Sequence, residues 1–252
     1  MAAPVDPRDR FSGAAEAYAR YRPSYPDALV DWVVADAGVA PGQPAADVGC
    51  GTGLFTRLLA ARGLDAVGID PNEDMLAAAR AAGGGARYAR GEAAATGLGD
   101  ASVALVTVAQ AFHWFALDPA LAELRRVLRK GGRVATAWNL RGQGAFMDAY
   151  DALLRRFSSE YRVLEGWEET LARLRAHPAV EGCRDFETPN AQSFDLEGLR
   201  GRSWSSSYVF RGVTDRAGFD AALRRLFDEH AHDGRVLFPY RSVVLAFTPA
   251  RG

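Results

Sequence analysis

A chain of 252 residues is long enough for one large α/β domain with a small lid. Its 48% hydrophobic and 24% charged residues are those of an ordinary globular protein, and a formal net charge of −1 excludes a global basic field that would draw it to nucleic acid. Met1 to Arg10 carries prolines and charges where a signal peptide would be apolar, and no stretch reaches the length of a membrane span. A cytoplasmic protein without a membrane partner is therefore expected.

Lys130 is the only lysine, so the basic residues are almost all arginine. Pairs such as Arg125-Arg126, Arg155-Arg156 and Arg224-Arg225 read as solvated helix faces. Cys50 and Cys183 are far apart in sequence and fit free thiols in a reducing compartment better than a disulfide.

In chain order, Phe11 to Tyr21 suits a first helix, ended by Arg22-Pro23-Ser24-Tyr25-Pro26. A second helix, Asp27 to Ala37, is stopped by Gly38. Pro44 to Val48 is expected as the first strand, although Ala45 and Ala46 are poor strand formers. Leu54, Phe55, Leu58 and Leu59 form a helical stripe closed by Gly63. Ala66 to Ile69 reads as a second strand, Glu73 to Ala82 as a crossover helix and Arg87 to Ala89 as a weak third strand. The continuous apolar run Val103 to Ala109 has the composition of a strand covered on both faces. Pro119 to Leu128 is helical, and Lys130-Gly131-Gly132 turns into a strand from Arg133 to Trp138.

This alternation predicts an α/β fold with a parallel sheet wound by right-handed crossovers. Beyond Asn139 helices are expected over Phe146 to Phe157, Thr170 to Ala176 and Arg216 to Glu229. Val236 to Phe247 reads as a late strand or hairpin arm, with Pro239 arguing for an edge or a bend. The single domain then divides into N-terminal helices (1–38), a cofactor-binding core (39–140), a cap over the substrate (141–213) and a final helix and strand (214–252).

Asp47-Val48-Gly49-Cys50-Gly51-Thr52-Gly53 falls at the carboxyl end of the first strand and ahead of a helix, where an open α/β sheet binds its cofactor. Glycine permits a positive φ and lets a ligand approach the backbone. The G-x-G-x-G spacing places Leu54 where a dinucleotide fingerprint needs its third glycine, which disfavours a nicotinamide dehydrogenase. Asp70, 21 residues after Gly49, suits the paired hydroxyls of a ribose; its alternative role is to cap the helix opened by Pro71. Met75 suits either an adenine face or helix packing.

These residues, with Gly68-Ile69-Asp70-Pro71, Asp100 to Val103, Gln110 to Phe115, Leu124 to Gly132, Tyr18 to Pro23 and Ser203 to Tyr208, resemble class I S-adenosylmethionine-dependent methyltransferases, in the small-molecule branch of trans-aconitate methyltransferase-like proteins. The resemblance implies a Rossmann-like seven-stranded sheet with one antiparallel strand. Helices would cover both faces, with a C-terminal helical cap insertion. It implies S-adenosylmethionine as cofactor, held by Asp47, Gly49, Gly51, Gly53, Asp70, Pro71, Met75, Glu92, Ala93 and Gln110. Glu92 takes the place of the acid that accepts from the adenine amino group. Many relatives carry another glutamate where this chain has Ala94.

Methyl transfer needs a positioned nucleophile, a dry site and aromatic faces beside the sulfonium. Tyr18, Tyr21, Trp114, Phe115 and Trp138 are the aromatics expected there, each with core packing as its alternative. His113 is the candidate base, with a loop-holding hydrogen bond as its alternative. Arg22, Arg202 and Arg241 read first as surface arginines and second as bidentate partners for an acidic substrate. Cys50 reads as a small packing residue. His230-Ala231-His232-Asp233 reads as a solvated loop, so no metal is expected. The partner expected is a small molecule that accepts the methyl on oxygen, carbon or nitrogen. The alternative is a protein of this fold that binds S-adenosylmethionine without transferring its methyl.

Overall fold

The structure, a computed structural model, describes residues 20–161 and 167–250. Most of the first expected helix, Tyr18 included, lies outside them. Helix α1 (Asp27–Asp36) precedes β1 (Pro44–Val48), α2 (Leu54–Ala61), β2 (Asp65–Asp70), α3 (Glu73–Ala81) and β3 (Arg87–Arg90). There follow β4 (Val103–Ala109), a short 3-10 turn (Phe112–Trp114), α4 (Leu117–Val127) and β5 (Leu128–Arg141). The last third comprises α5 (Ala145–Phe157), α6 (Trp167–Ala176), β6 (Val180–Phe194), α7 (Leu196–Trp204), α8 (Ser207–Gly212), α9 (Arg216–His230) and β7 (Val236–Pro249).

The strands form one seven-stranded sheet in the order β3-β2-β1-β4-β5-β7-β6. Only β7 runs against its neighbours, pairing antiparallel with β5 and β6. The expected mixed sheet with one reversed strand is thus present. Its alanines explain why β1 forms despite weak propensity. Ala45, Ala66, Ala135, Ala137 and Ala246 pave one face, and Leu29, Val33, Phe55 and Leu59 of α1 and α2 pack closely onto them. The opposite face carries Val48, Val67, Ile69, Val106 and Trp138. Burial on both sides, not β-propensity, decides the strand.

Two expectations are corrected in the last third. Val180–Phe194, placed in the cap by sequence, is the edge strand β6. Its mostly exposed, polar residues interrupted by Gly182 and Pro189 hide the apolar alternation of a half-buried strand. β7 is consequently internal. Pro239 is accommodated because β5 runs out there: the last pair is Arg141 with Tyr240, and the Pro239 carbonyl accepts from Gly142 N–H at 2.9 Å.

Asp36 locks α1 to this end of the sheet. Its buried carboxylate receives Arg133 at 2.8 Å and Arg184 at 2.6 Å. A separate apolar cluster joins α5, α7, α8 and α9 to the far ends of β6 and β7 through Tyr150, Leu199, Val209, Phe219 and Phe238. Among the described residues no helix is long and apolar enough to cross a membrane.

Candidate active site

The carboxyl ends of β1, β2, β4 and β5 and the helical cluster enclose a cleft of about 1120 Å³, large enough for a nucleoside-sized ligand and a second small molecule together. Its first wall is the glycine loop. Gly49 has φ 72°, and a Cβ there would stand 2.6 Å from the Ala111 side chain and 3.2 Å from the Phe115 ring. Only glycine lets β1 pass the end of β4 this closely. Gly51 has φ 53° with open space beside it, so its backbone is presented to the cleft.

Two members of the loop face elsewhere. Asp47 is fully buried. Its carboxylate accepts from Thr56 Oγ1 at 2.7 Å and Thr107 Oγ1 at 2.9 Å, binding the loop to α2 and β4. Burial raises its pKa to about 6. Gly53 starts α2 at φ 72° and lies under the Tyr88 ring, which would collide with any Cβ. Asp47 and Gly53 therefore shape the loop from behind and do not line the cleft.

Asp70 does reach the cleft. It accepts from Gly51 N–H at 2.8 Å and Asn72 N–H at 2.9 Å, and burial pushes its pKa up against those hydrogen bonds. It does not cap the next helix. Asn72 does so by accepting from Met75 N–H at 3.1 Å. A carboxylate has about four lone-pair positions, so two backbone bonds leave Asp70 capacity to accept a diol. Pro71, buried Met75, Glu92 and Ala93 continue the same wall. Glu92 is exposed in a tight turn whose backbone is paired with Ala95.

Gln110 closes this half with a positive φ of 58°, unusual for a residue with a side chain. Its N–H donates to Ala137 O at 2.8 Å and its Nε2 to Asn139 O at 3.3 Å. The next residues deliver His113 and Trp114 to the rim, with ring centroids 4.6 Å apart; Trp114 is 41% exposed. Trp138 lies deep in the cleft at 2% exposure, and its indole Nε1 has no hydrogen-bond partner among the described residues.

Tyr21 is not part of this cleft. Its ring lies on Gly201 beside Trp204, Arg216 and Asp220, in a separate shallow depression. Arg22 does line the cleft and donates to Ser205 O at 3.4 Å. Arg241 also lines the cleft; it is exposed and pairs with Glu187 at 3.0 Å. Arg202 departs from the surface reading: it is only 3% exposed and on the cleft wall.

Arg141, Tyr208 and Tyr240 also line this wall and were absent from the sequence-derived set. The signal available was the Arg202-Ser203-Trp204-Ser205-Ser206 run, whose hydroxyl residues are buried although the composition reads as a loop. Cys50 is buried, and its thiol is held well above its usual range by that burial, consistent with a packing role. His230 ends α9, bonded to Leu226 O at 3.1 Å and set edge-on to Phe146.

The fold and the glycine loop define the Rossmann-like architecture of class I methyltransferases. Residues 46–136 match the model of a methyltransferase domain family. The chain is 44% identical over 135 residues to an uncharacterized methyltransferase of Mycobacterium bovis, covering 53% of each protein. It therefore spans about half the length of the curated relatives that it matches. Among solved structures, a protein of Anaeromyxobacter dehalogenans provisionally described as a type II methyltransferase superposes with TM-score 0.62. That match has 29% identity and covers 90% of this chain and 95% of the other. A phosphoethanolamine N-methyltransferase of Haemonchus contortus, bound to S-adenosylhomocysteine, shares the fold alone. Its TM-score is 0.56 at 17% identity, over 98% of this chain and 61% of that one. Together these likenesses give the chain the fold of methyltransferases and, over residues 46–136, similarity to a methyltransferase domain.

Proposed function

We propose that this protein uses S-adenosylmethionine to methylate a small molecule, in the branch that resembles trans-aconitate methyltransferase-like proteins. The observation that carries the reading is one cleft with two chemically distinct ends. At one end are Gly49, Gly51, Asp70, Met75 and Glu92, the residue types that hold an adenosine and a methionine tail. At the other are Trp138, Arg141, Arg202 and Tyr208.

The residues fit this cofactor. A Cβ at Gly49 would fill the narrow passage beside Ala111, and Asp70 is buried with accepting capacity to spare. Leu54 lines the cleft where a dinucleotide fold would have glycine. When bound, S-adenosylmethionine supplies an electrophilic methyl group on a sulfonium, and the carbon–sulfur electron pair stays with sulfur as the acceptor's lone pair forms the new bond.

The protein's own contribution is to align and dry the site. Asp70 orients the ribose end, while Phe115 and Trp114 at the rim offer π faces to a cation. His113 is positioned to take a proton from an acceptor hydroxyl, amine or acidic carbon; a carboxylate acceptor needs no base. Calorimetric titration with S-adenosylmethionine and NAD tests the cofactor half. Formation of S-adenosylhomocysteine across a panel of small acceptors tests transfer. Binding of NAD in place of S-adenosylmethionine would overturn the proposal. Tight S-adenosylmethionine binding with no turnover on any acceptor would favour a non-transferring protein of the same fold.

A further inference from the structure

Residues 22–25 adopt neither helix nor strand, yet Arg22, Pro23 and Tyr25 form part of the cleft wall. Side-chain amides hold this segment by its carbonyls. Asn139 Nδ2 donates to Pro23 O and Ser24 O at 3.3 Å, Asn190 Nδ2 to Ser24 O at 2.7 Å, and Gln192 Nε2 to Tyr21 O at 3.3 Å. Asn190 and Gln192 are two apart in β6 and therefore share one face of that strand. Two of the amides are themselves steadied. Asn139 Oδ1 accepts from Asn190 at 3.1 Å and from Ser242, and Gln192 Oε1 accepts from Tyr240 Oη at 2.9 Å.

A second attachment lies outside the cleft. The Tyr21 ring occupies the shallow depression beside Trp204 and rests on Gly201, inside α7. A Cβ at Gly201 would overlap that ring. Glycine inside a helix is unfavourable, and no positive φ calls for it here, so the docked ring is the reason for it. The segment is thus a strap. Tyr21 is plugged into α7, the carbonyls hang on β5 and β6, and Tyr25 meets Phe55 of α2 edge-on at 4.9 Å, next to the glycine loop. Hydrogen bonds to side chains each contribute little net stability, whereas α1 behind the strap is fixed by the apolar packing of Leu29 and Val33. Residues 21–24 are therefore the part of the wall kept in place by several weak bonds and one docked ring.

We propose that Gly201, Asn190 and Gln192 are positioning residues: they seat the strap of residues 21–25 against the cleft, and that seating sets how long a bound ligand stays. None of the three lines the cleft, so they act through Arg22, Pro23 and Tyr25, which do. Gly201 supplies the socket for the ring, and the two amides of β6 supply the latch. The ligand used to measure residence rests on the methyltransferase reading; the seating itself can be tested without a ligand.

The test uses protein labelled with fluorotyrosine, the Tyr21 fluorine resonance being assigned by its loss in Tyr21→Phe, and S-adenosylhomocysteine as the bound probe. Gly201→Ala should move that resonance to its solvent-exposed position, while the thermal unfolding midpoint stays level or rises because alanine favours the helix. S-adenosylhomocysteine dissociation should quicken by roughly tenfold, the factor for one or two net hydrogen bonds. Asn190→Asp and Gln192→Glu keep side-chain size but turn an acceptor towards the strap carbonyls, and each should move the same resonance and quicken dissociation in the same direction. Asn190→Asp, on the exposed edge strand, is the second variant should Gly201→Ala fail to fold. In a Tyr21→Ala background, Gly201→Ala should leave the dissociation rate unchanged, since the ring it displaces is gone. An unmoved resonance in Gly201→Ala, wild-type dissociation in the folded variants, or additive effects of Tyr21→Ala and Gly201→Ala would overturn the strap. A wild type that binds no S-adenosylhomocysteine would instead overturn the methyltransferase reading, and the fluorine resonance alone would then decide the seating.

Discussion

Asp47→Asn probes the acid behind the glycine loop. Burial raises the Asp47 pKa from 3.8 to about 6. At about 1.36 kcal/mol per pKa unit, that shift corresponds to about 3 kcal/mol of pH-dependent stability. The folded pKa lies above the unfolded one, so the native state holds the proton more tightly. This contribution is complete below pH 3.8 and is lost as pH rises through 6. Asparagine keeps the shape and cannot ionise, and the Thr56 and Thr107 hydroxyls can rotate to donate to its oxygen and accept from its amide. Urea unfolding of both proteins across pH 4 to 7 supplies the comparison, because other titrating groups cancel in the difference. The variant should gain on the wild type by about 2.4 kcal/mol between pH 4 and pH 7, because pH 4 already lies above the unfolded pKa. A difference that is constant with pH would refute the buried-charge account, and one that shrinks would reverse its sign.

Three further outcomes are expected. Asp70→Ala should weaken S-adenosylmethionine binding by roughly a hundredfold, since two hydrogen bonds to a charged group are lost at about 1.5 kcal/mol or more each; near-normal affinity in calorimetry would end the ribose assignment. His113→Ala should lower turnover by roughly a hundredfold if the residue takes the proton, with cofactor affinity unchanged; steady-state rates equal to wild type would leave it a loop residue. Glu123 behaves oppositely to Asp47. Arg126, aided by Thr96, holds its carboxyl at about 2, below its ordinary 4.5. Its stabilisation is present above pH 4.5 and lost as pH falls towards 2. Glu123→Gln should therefore flatten the acid limb of the stability profile, and an unaltered limb in acid unfolding would contradict the ion pair.

The glycine-loop end of the cleft was legible because it is built from local sequence. A strand, a glycine turn and a helix follow one another within Pro44 to Ala61, and Asp70 is the last residue of the adjacent strand. The direction of individual side chains was less legible. Whether Asp47 faces the ligand or the core depends on Thr107, sixty residues away and opposite it in β4. The opposite end was hardly legible, because its residues come from distant elements. Arg141 extends β5 past its apolar run, Arg202 lies on a helix hidden in a polar segment, and Tyr240 comes from a strand that Pro239 marked as an edge. Burial of Arg202 follows from packing of α7 against β6 and β7, which a residue-by-residue reading treats as one surface arginine among many.

The two ends meet at Gln110, and the local backbone shows how they are coupled. A non-glycine residue at φ 58° is strained by about 1 kcal/mol or more, and persists only where its surroundings over-determine it. They do so here on both sides. Ala111, the next residue, fills the space left by Gly49 and so fixes the end of β4 against the cofactor loop. The Gln110 backbone and side chain both bond to β5, at Ala137 and Asn139, on either side of Trp138. Asn139 in turn donates to Pro23 O and Ser24 O at 3.3 Å and accepts from Asn190 at 3.1 Å, drawing the segment that bears Arg22 and the edge strand β6 onto the same point. A shift of the glycine loop on ligand binding would therefore be passed through Ala111 and Gln110 to the part of β5 that carries Trp138 and Arg141. The strained residue stands between the two ends of the cleft, and relaxing it would loosen both together.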